Sequence, residues 1–204
     1  MQLKECFFHF AANYGFIFFR FANPALYYSM VMIQLTGLSG VGKSSVAWHT
    51  AKLLEADGIS AVIVDGDVYR QTLCKDLGFS KADRHENIRR LGKAARQFVL
   101  EGNVTIIAAI NPYEEIRNEL KELYNASTVW VTCPLDVLVQ RDTKGLYKRA
   151  MLPEGHPDKI SNLTGFGDTY EEPNSPDLIL QTDTETPGET AQRLYDYIKQ
   201  LLAD

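Results

Sequence analysis

Eight residues in the first quarter of the chain, Gly37-Leu-Ser-Gly-Val-Gly-Lys-Ser44, constrain the fold more than any other segment. They fit G-x-x-x-x-G-K-[ST], directly after the apolar run Val31 to Thr36 and at the start of a segment of helical period. That strand-then-helix context is where the pattern builds an anion cradle. Glycines at 37, 40 and 42 let the backbone curl so that successive N–H groups point inward, and the helix N-terminus adds partial positive charge. Gly37, Leu38, Ser39, Gly40, Val41, Gly42, Lys43, Ser44 and Ser45 are therefore expected to hold the phosphates of ATP. Lys43 reaches the β and γ phosphates, and Ser44 offers Mg²⁺ one of the hard oxygen ligands it prefers.

The chain beyond this loop alternates β-branched runs with longer helical segments, the pattern of parallel strands joined by crossover helices. Strands are expected at Val31 to Thr36, Ser60 to Asp65, Asn103 to Ile110, Thr128 to Cys133 and Asp177 to Gln181, and helices from near Lys43, Asp83, Pro112, Pro134 and Gly188. The expected fold is α/β: a three-layer P-loop NTPase architecture around a five-stranded, mainly parallel sheet. Lys144 to Pro176 is rich in Gly, Pro, Asn and Asp without sustained periodicity, so it reads as a long ordered lid loop of the kind that usually has a function.

At 204 residues the chain suits one catalytic domain. Residues 1–29 differ in composition, with seven of the ten phenylalanines between Phe7 and Phe21. His9, Asn13 and Arg20 interrupt that run and Pro24 halts it, so it does not read as a span. It reads as a leader outside a kinase domain at 30–204, an upstream extension of a start at Met30 or Met32, with a weak membrane anchor as the alternative. A net charge of −5 argues against a nucleic-acid partner, which would call for a basic excess, and against a firm membrane partner. Cys6, Cys74 and Cys133 form no C-x-x-C pair, which fits a reducing cytoplasm and cysteines packed as small apolar residues.

The P-loop alone admits GTPases, ATP-driven machines and small-molecule kinases. No N-K-x-D or L-S-G-G-Q segment is present, which leaves a kinase. The second strand ends in Asp65-Gly-Asp67 with Arg70 close behind, placing carboxylates at the strand edge where open α/β sheets bind ligands. A carboxylate there can accept the proton of an acceptor hydroxyl or sit beside a metal ion, and Asp65 is the expected residue for both roles. The following helix carries Arg84, Arg89, Arg90, Lys93 and Arg96. Guanidinium groups grip phosphate and sulfate oxygens in pairs, so the acceptor is expected to be anionic. These residues cannot all share one helix face, so some must be ordinary solvated charges. His49 and His85 lack a carboxylate at useful spacing and read as structural.

Asp65-Gly-Asp-Val-Tyr-Arg70, Leu77-Gly-Phe-Ser80, Asp83-Arg-His-Glu-Asn-Ile-Arg-Arg90, Asn111-Pro-Tyr113, Arg141-Asp-Thr-Lys-Gly-Leu-Tyr147 and Tyr170-Glu-Glu-Pro173 together resemble the adenylylsulfate kinase family. The resemblance implies transfer of the ATP γ-phosphate to the 3′-hydroxyl of adenosine 5′-phosphosulfate, with Mg²⁺ as cofactor. It also allows a homodimer and a functional association with ATP sulfurylase. By position, Asp65 resembles the family's catalytic carboxylate, Lys144 the lysine that begins its lid, and Arg70, Arg84 and Asn87 its substrate-holding groups. Phe79 resembles the aromatic that stacks on the substrate adenine. Asp67, Arg90, Asn111, Pro112, Leu163 and Phe166 complete the expected substrate site.

Three departures lie near the acceptor. Asn111 stands where the family commonly has serine, which excludes a phosphoserine there and implies direct in-line transfer. The lid carries Leu152-Pro-Glu-Gly-His-Pro-Asp158 in place of a shorter link, and the second stacking phenylalanine falls at Leu163 unless Phe166 replaces it. The alternatives are a relative that phosphorylates another adduct, such as a cytidine diphosphate derivative, and a non-catalytic nucleotide-binding partner of a sulfurylase.

Overall fold

The computed structural model describes residues 30–203; the leader and Cys6 lie outside the described residues. Five strands, β1 (Met32–Thr36), β2 (Ala61–Asp65), β3 (Val104–Ala108), β4 (Ser127–Thr132) and β5 (Leu178–Gln181), form one sheet in the order β2-β3-β1-β4-β5. All four pairings are parallel. β1 and β3 are buried throughout, as their β-branched runs require of strands covered on both faces. One core joins β1, β3 and β4 to α1 (Lys43–Ala56) and α7 (Pro187–Ala203). The other joins the opposite face to α3 (Lys81–Leu100) and α4 (Glu114–Tyr124). From β1 the chain reaches β2 and β3 on one side and β4 and β5 on the other, so the strand order reverses beside the P-loop. The carboxyl ends of the strands at such a reversal form the ligand crevice of open α/β sheets.

Local chemistry sets the element ends. Ser80 caps α3, its hydroxyl accepting the Asp83 N–H at 3.1 Å, so this helix begins at Lys81 rather than at Asp83. Asn111 holds a left-handed φ of 46° and Pro112 cannot donate, which delays α4 to Glu114. There the Glu171 carboxylate accepts the Glu114 N–H at 2.7 Å. α7 starts at Pro187 inside a reciprocal capping box, with Thr186 N–H donating to Glu189 and Glu189 N–H to Thr186 Oγ1, an arrangement worth about 1 kcal/mol.

Two helices went unanticipated because each is too short to show a period. α2 (Gly66–Tyr69) follows β2, with Asp65 as its N-cap. After α5 (Leu135–Arg141), α6 (Leu146–Ala150) interrupts the expected loop, its first N–H groups from Tyr147 and Lys148 donating to the Asp142 carboxylate at 3.1 and 2.9 Å. The remainder of the lid, to Pro176, has no helix or named strand among the described residues. Cys74 and Cys133 are free and buried.

Candidate active site

The P-loop leaves β1 across the top of β4. A Cβ on Gly37 would lie 2.1 Å from the Val131 carbonyl oxygen, and its φ is +151°, so only glycine lets the loop cross there. Lys43, 9% exposed, folds back over the loop and donates to the Gly37 and Leu38 carbonyls, both at 2.8 Å. Burial, aided by nearby Lys144 and opposed by Asp67 and Asp65, pushes its ammonium down to about 7. A triphosphate would replace the two carbonyls with stronger acceptors and restore the charge.

Asp65 is shared between structure and site. One carboxylate oxygen accepts the Asp67 and Val68 N–H groups, which fixes the side chain, and the other accepts the Ser44 hydroxyl at 2.6 Å. Ser44 and Asp65 thus set two hard oxygens side by side at the mouth of the P-loop. Among the described residues no cluster of three His, Cys, Asp or Glu exists to cage a metal. The pair instead fits Mg²⁺, which usually takes one or two protein oxygens and completes its shell with water and phosphate. Lys144, at the root of the lid, bridges the crevice to Asp67 at 2.5 Å.

The residues expected on the acceptor side follow α2 and open α3. Phe79 is half exposed, with the Arg70 guanidinium 4.5 Å and that of Arg84 5.5 Å from its ring centre. Arg70 is braced by the Leu77 and Gly78 carbonyls. Arg84, 6% exposed, donates to the Phe79 and Asn162 carbonyls and forms an ion pair with Asp168 at 2.6 Å. It therefore ties α3 to the lid. Asn87 lies one turn on, 6% exposed, with its Oδ1 lacking a partner among the described residues. An unsatisfied buried amide oxygen costs about 1–3 kcal/mol, and a ligand donor would relieve it.

Four expected substrate residues have protein partners or lie buried in this structure. Arg90 is committed to Asp76, Glu86 and the Leu73 carbonyl, a surface cluster that substrate contact would have to break. Asn111 is 1% exposed and its amide donates to buried Gln34. Gln34 in turn bonds the Arg117 carbonyl and Thr128, so Asn111 belongs to an internal polar network and Pro112 serves as backbone, accepting the Glu171 N–H. Leu163 is buried in the core that also holds Tyr147. Phe166 is partly exposed and meets Tyr147 edge to face at 6.3 Å. Arg89 pairs with Glu119 through two bonds, and His85 packs against Tyr113.

A cavity of about 430 Å³ opens beside the P-loop among Leu38, Trp130, Cys133, Gly165 and Asp183. Another, of about 400 Å³, lies at the amino ends of β1 and β4 among Met30, Arg96, Leu123 and Tyr124 and contains none of the expected site residues. Sequence reasoning gave no role to Asp168, Tyr147 or Tyr170. Tyr147 donates to the Ser39 carbonyl, and the Tyr170 hydroxyl bonds Thr36 at 3.0 Å. These partners are more than 80 positions apart, beyond the reach of any spacing rule.

The model of the adenylylsulphate kinase family matches residues 29–181. The chain belongs to this family. It is 45% identical over 172 residues to the adenylyl-sulfate kinase of Bacillus pumilus, covering 83% of this chain and 85% of that one. Against the adenylyl-sulfate kinase of Microcystis aeruginosa it is 42% identical over 172 residues, covering 84% and 92%. Among solved structures, the Mycobacterium tuberculosis APS kinase in complex with AMPPNP and APS superposes with a TM-score of 0.76 at 38% identity, covering 83% of this chain and 97% of that one. The family match spans the P-loop, the carboxylate strand and the lid, the segments from which the crevice is assembled.

Proposed function

We infer that this chain is an adenylyl-sulfate kinase, moving the ATP γ-phosphoryl group to the 3′-hydroxyl of adenosine 5′-phosphosulfate to give 3′-phosphoadenosine 5′-phosphosulfate. The observation that carries the reading is the meeting, in a chain of this family, of the Lys43–Ser44–Asp65 cluster with a half-exposed aromatic ring set among arginines.

Phosphoryl transfer passes through a loose transition state with charge spread over the equatorial oxygens, so catalysis is mostly positioning and electrostatics. The P-loop amides and Lys43 hold the β and γ phosphates. Asp65, its carboxylate fixed by the α2 cap, orients the 3′-hydroxyl and accepts its proton. Lys144, released from Asp67, supplies positive charge to the transferring group. Arg70, Arg84 and Asn87 hold the phosphosulfate, while Phe79 offers its face to the adenine. Mg²⁺, held by Ser44 and Asp65, would neutralise charge developing between the β and γ oxygens. With Asn111 turned into the interior network, transfer runs directly from donor to acceptor without a phosphorylated enzyme.

The chain's two described cysteines are unpaired, which supports a reducing, ATP-containing cytoplasm as its setting, and no helix among the described residues is long and apolar enough to cross a membrane. The homodimer and sulfurylase association rest on the resemblance alone. Burial of Leu163 leaves Phe79 without a second aromatic from that position, which favours one competing reading, a different nucleotide adduct as acceptor. A coupled ADP-release assay comparing adenosine 5′-phosphosulfate with a cytidine diphosphate adduct separates them. Preference for the sulfated nucleotide supports the reading, and equal or reversed preference overturns it.

A further inference from the structure

The lid grips the phosphate loop from its own side, and the grip falls on one peptide unit. Tyr147, on α6, is 1% exposed, and its hydroxyl donates to the Ser39 carbonyl oxygen at 2.9 Å. Burial, with Asp142 and Cys133 nearby, pushes that hydroxyl up to about 12, so it stays a donor throughout the working pH range. The ring is braced edge to face by Phe166, and the start of its helix is fixed by Asp142. Thr143 lies beside Gly40, its hydroxyl 3.7 Å from where a Cβ would sit. Tyr147 in the lid and Thr143 just before it therefore border the Ser39–Gly40 peptide at two points, and the hydroxyl pulls the carbonyl toward the lid.

A trans peptide is planar, and its C=O and N–H point in opposite directions; no cis peptide is present among the described residues. Holding the Ser39 oxygen toward α6 consequently turns the Gly40 N–H away from the lid. Gly40 lies midway along the stretch whose amides form the phosphate cradle. Free rotation of that peptide would aim a carbonyl oxygen at the phosphates instead, exchanging attraction for repulsion.

We propose that Tyr147 is a positioning residue for phosphoryl transfer: from the lid, its hydroxyl sets the Ser39–Gly40 peptide so that the Gly40 N–H faces the donor phosphates. The proposal rests on the kinase reading above. It makes the lid a part of the donor site as well as a cover for the acceptor, and it ties cradle geometry to the docking of α6.

The test is Tyr147→Phe in the full chain, which keeps the ring and removes only the hydroxyl. The expected result is a fall of about tenfold in kcat, the scale of one mis-set hydrogen bond in the cradle. KM for adenosine 5′-phosphosulfate stays within twofold, and the melting temperature falls by only about 2–4 °C, the scale of one buried hydrogen bond. Wild-type kcat in this variant overturns the proposal. So does a loss expressed in the acceptor KM, which would mean that the lid had merely loosened. A second measurement needs no variant: the Gly40 amide proton of the wild-type protein, followed by NMR, moves downfield when ATP is added without acceptor. A Gly40 proton indifferent to ATP overturns the proposal even if Tyr147→Phe fails to fold. Wild-type protein inert toward adenosine 5′-phosphosulfate would instead refute the kinase reading, and the Gly40 shift on ATP addition, compared between wild type and Tyr147→Phe, would then decide the role of Tyr147.

Discussion

Protons should be taken up when ATP binds, because Lys43 is buried and titrates at about 7 while the loop is empty. Its partners in that state are two neutral carbonyls, whereas bound triphosphate surrounds it with negative charge and holds it protonated. The sign follows from this difference. Binding selects the charged amine, so affinity is full below pH 7 and declines as pH rises through the free-state value. At pH 7 about half of the free protein carries the proton, and at pH 8 about one molecule in eleven. The dissociation constant for MgATP should therefore weaken about fivefold between pH 7 and pH 8, close to 1 kcal/mol. Isothermal titration in two buffers of different ionisation enthalpy reads the uptake directly, with about 0.9 proton per ATP expected at pH 8. Lys43→Arg should remove the uptake, since a guanidinium stays charged at these pH values. Heats independent of buffer at pH 8, together with flat affinity, would refute the argument and mean that Lys43 is already charged in the empty loop.

Two substitutions probe the rest of the crevice. Asp65→Ala should retain ATP binding but lower kcat by at least about a hundredfold in steady-state assays, and the lost α2 cap should cost about 1 kcal/mol in denaturant titrations; unimpaired turnover would remove Asp65 from the mechanism. At Gly165, with φ of +80°, a Cβ would lie 2.3 Å from Leu38 Cδ2. Gly165→Ala should push the lid off the P-loop and destabilise the protein by about 1–2 kcal/mol, with a raised KM for ATP.

The number and positions of the strands were legible because β-branched runs and helical periods repeat along the chain, and the P-loop was legible because its chemistry is contiguous. All five strands fall within one to two residues of the expected limits, the widest difference being the end of β3 at Ala108 rather than Ile110. Short elements escaped: α2 and α6 are held by Asp65 and Asp142 side chains rather than by any periodic apolar face. In the site, Lys43, Ser44 and Asp65 were expected from motif and strand edge, and Arg70 and Phe79 from the family resemblance. Arg90 and Asn111 show the limit, since a basic residue on a helix and a polar residue after a strand look alike in sequence whether they face a ligand or a protein partner. Asp76, Glu86 and Gln34 are the protein partners of these two residues here, and only folding brings them into reach.

The identity of the phosphorylated product tests the whole account most directly. The full chain, mixed with ATP, Mg²⁺ and adenosine 5′-phosphosulfate, should yield ADP and an equal amount of a new phosphomonoester, its ³¹P signal coupled to the ribose 3′ proton. ADP accompanied only by inorganic phosphate, or a phosphate attached at any other position, would contradict it.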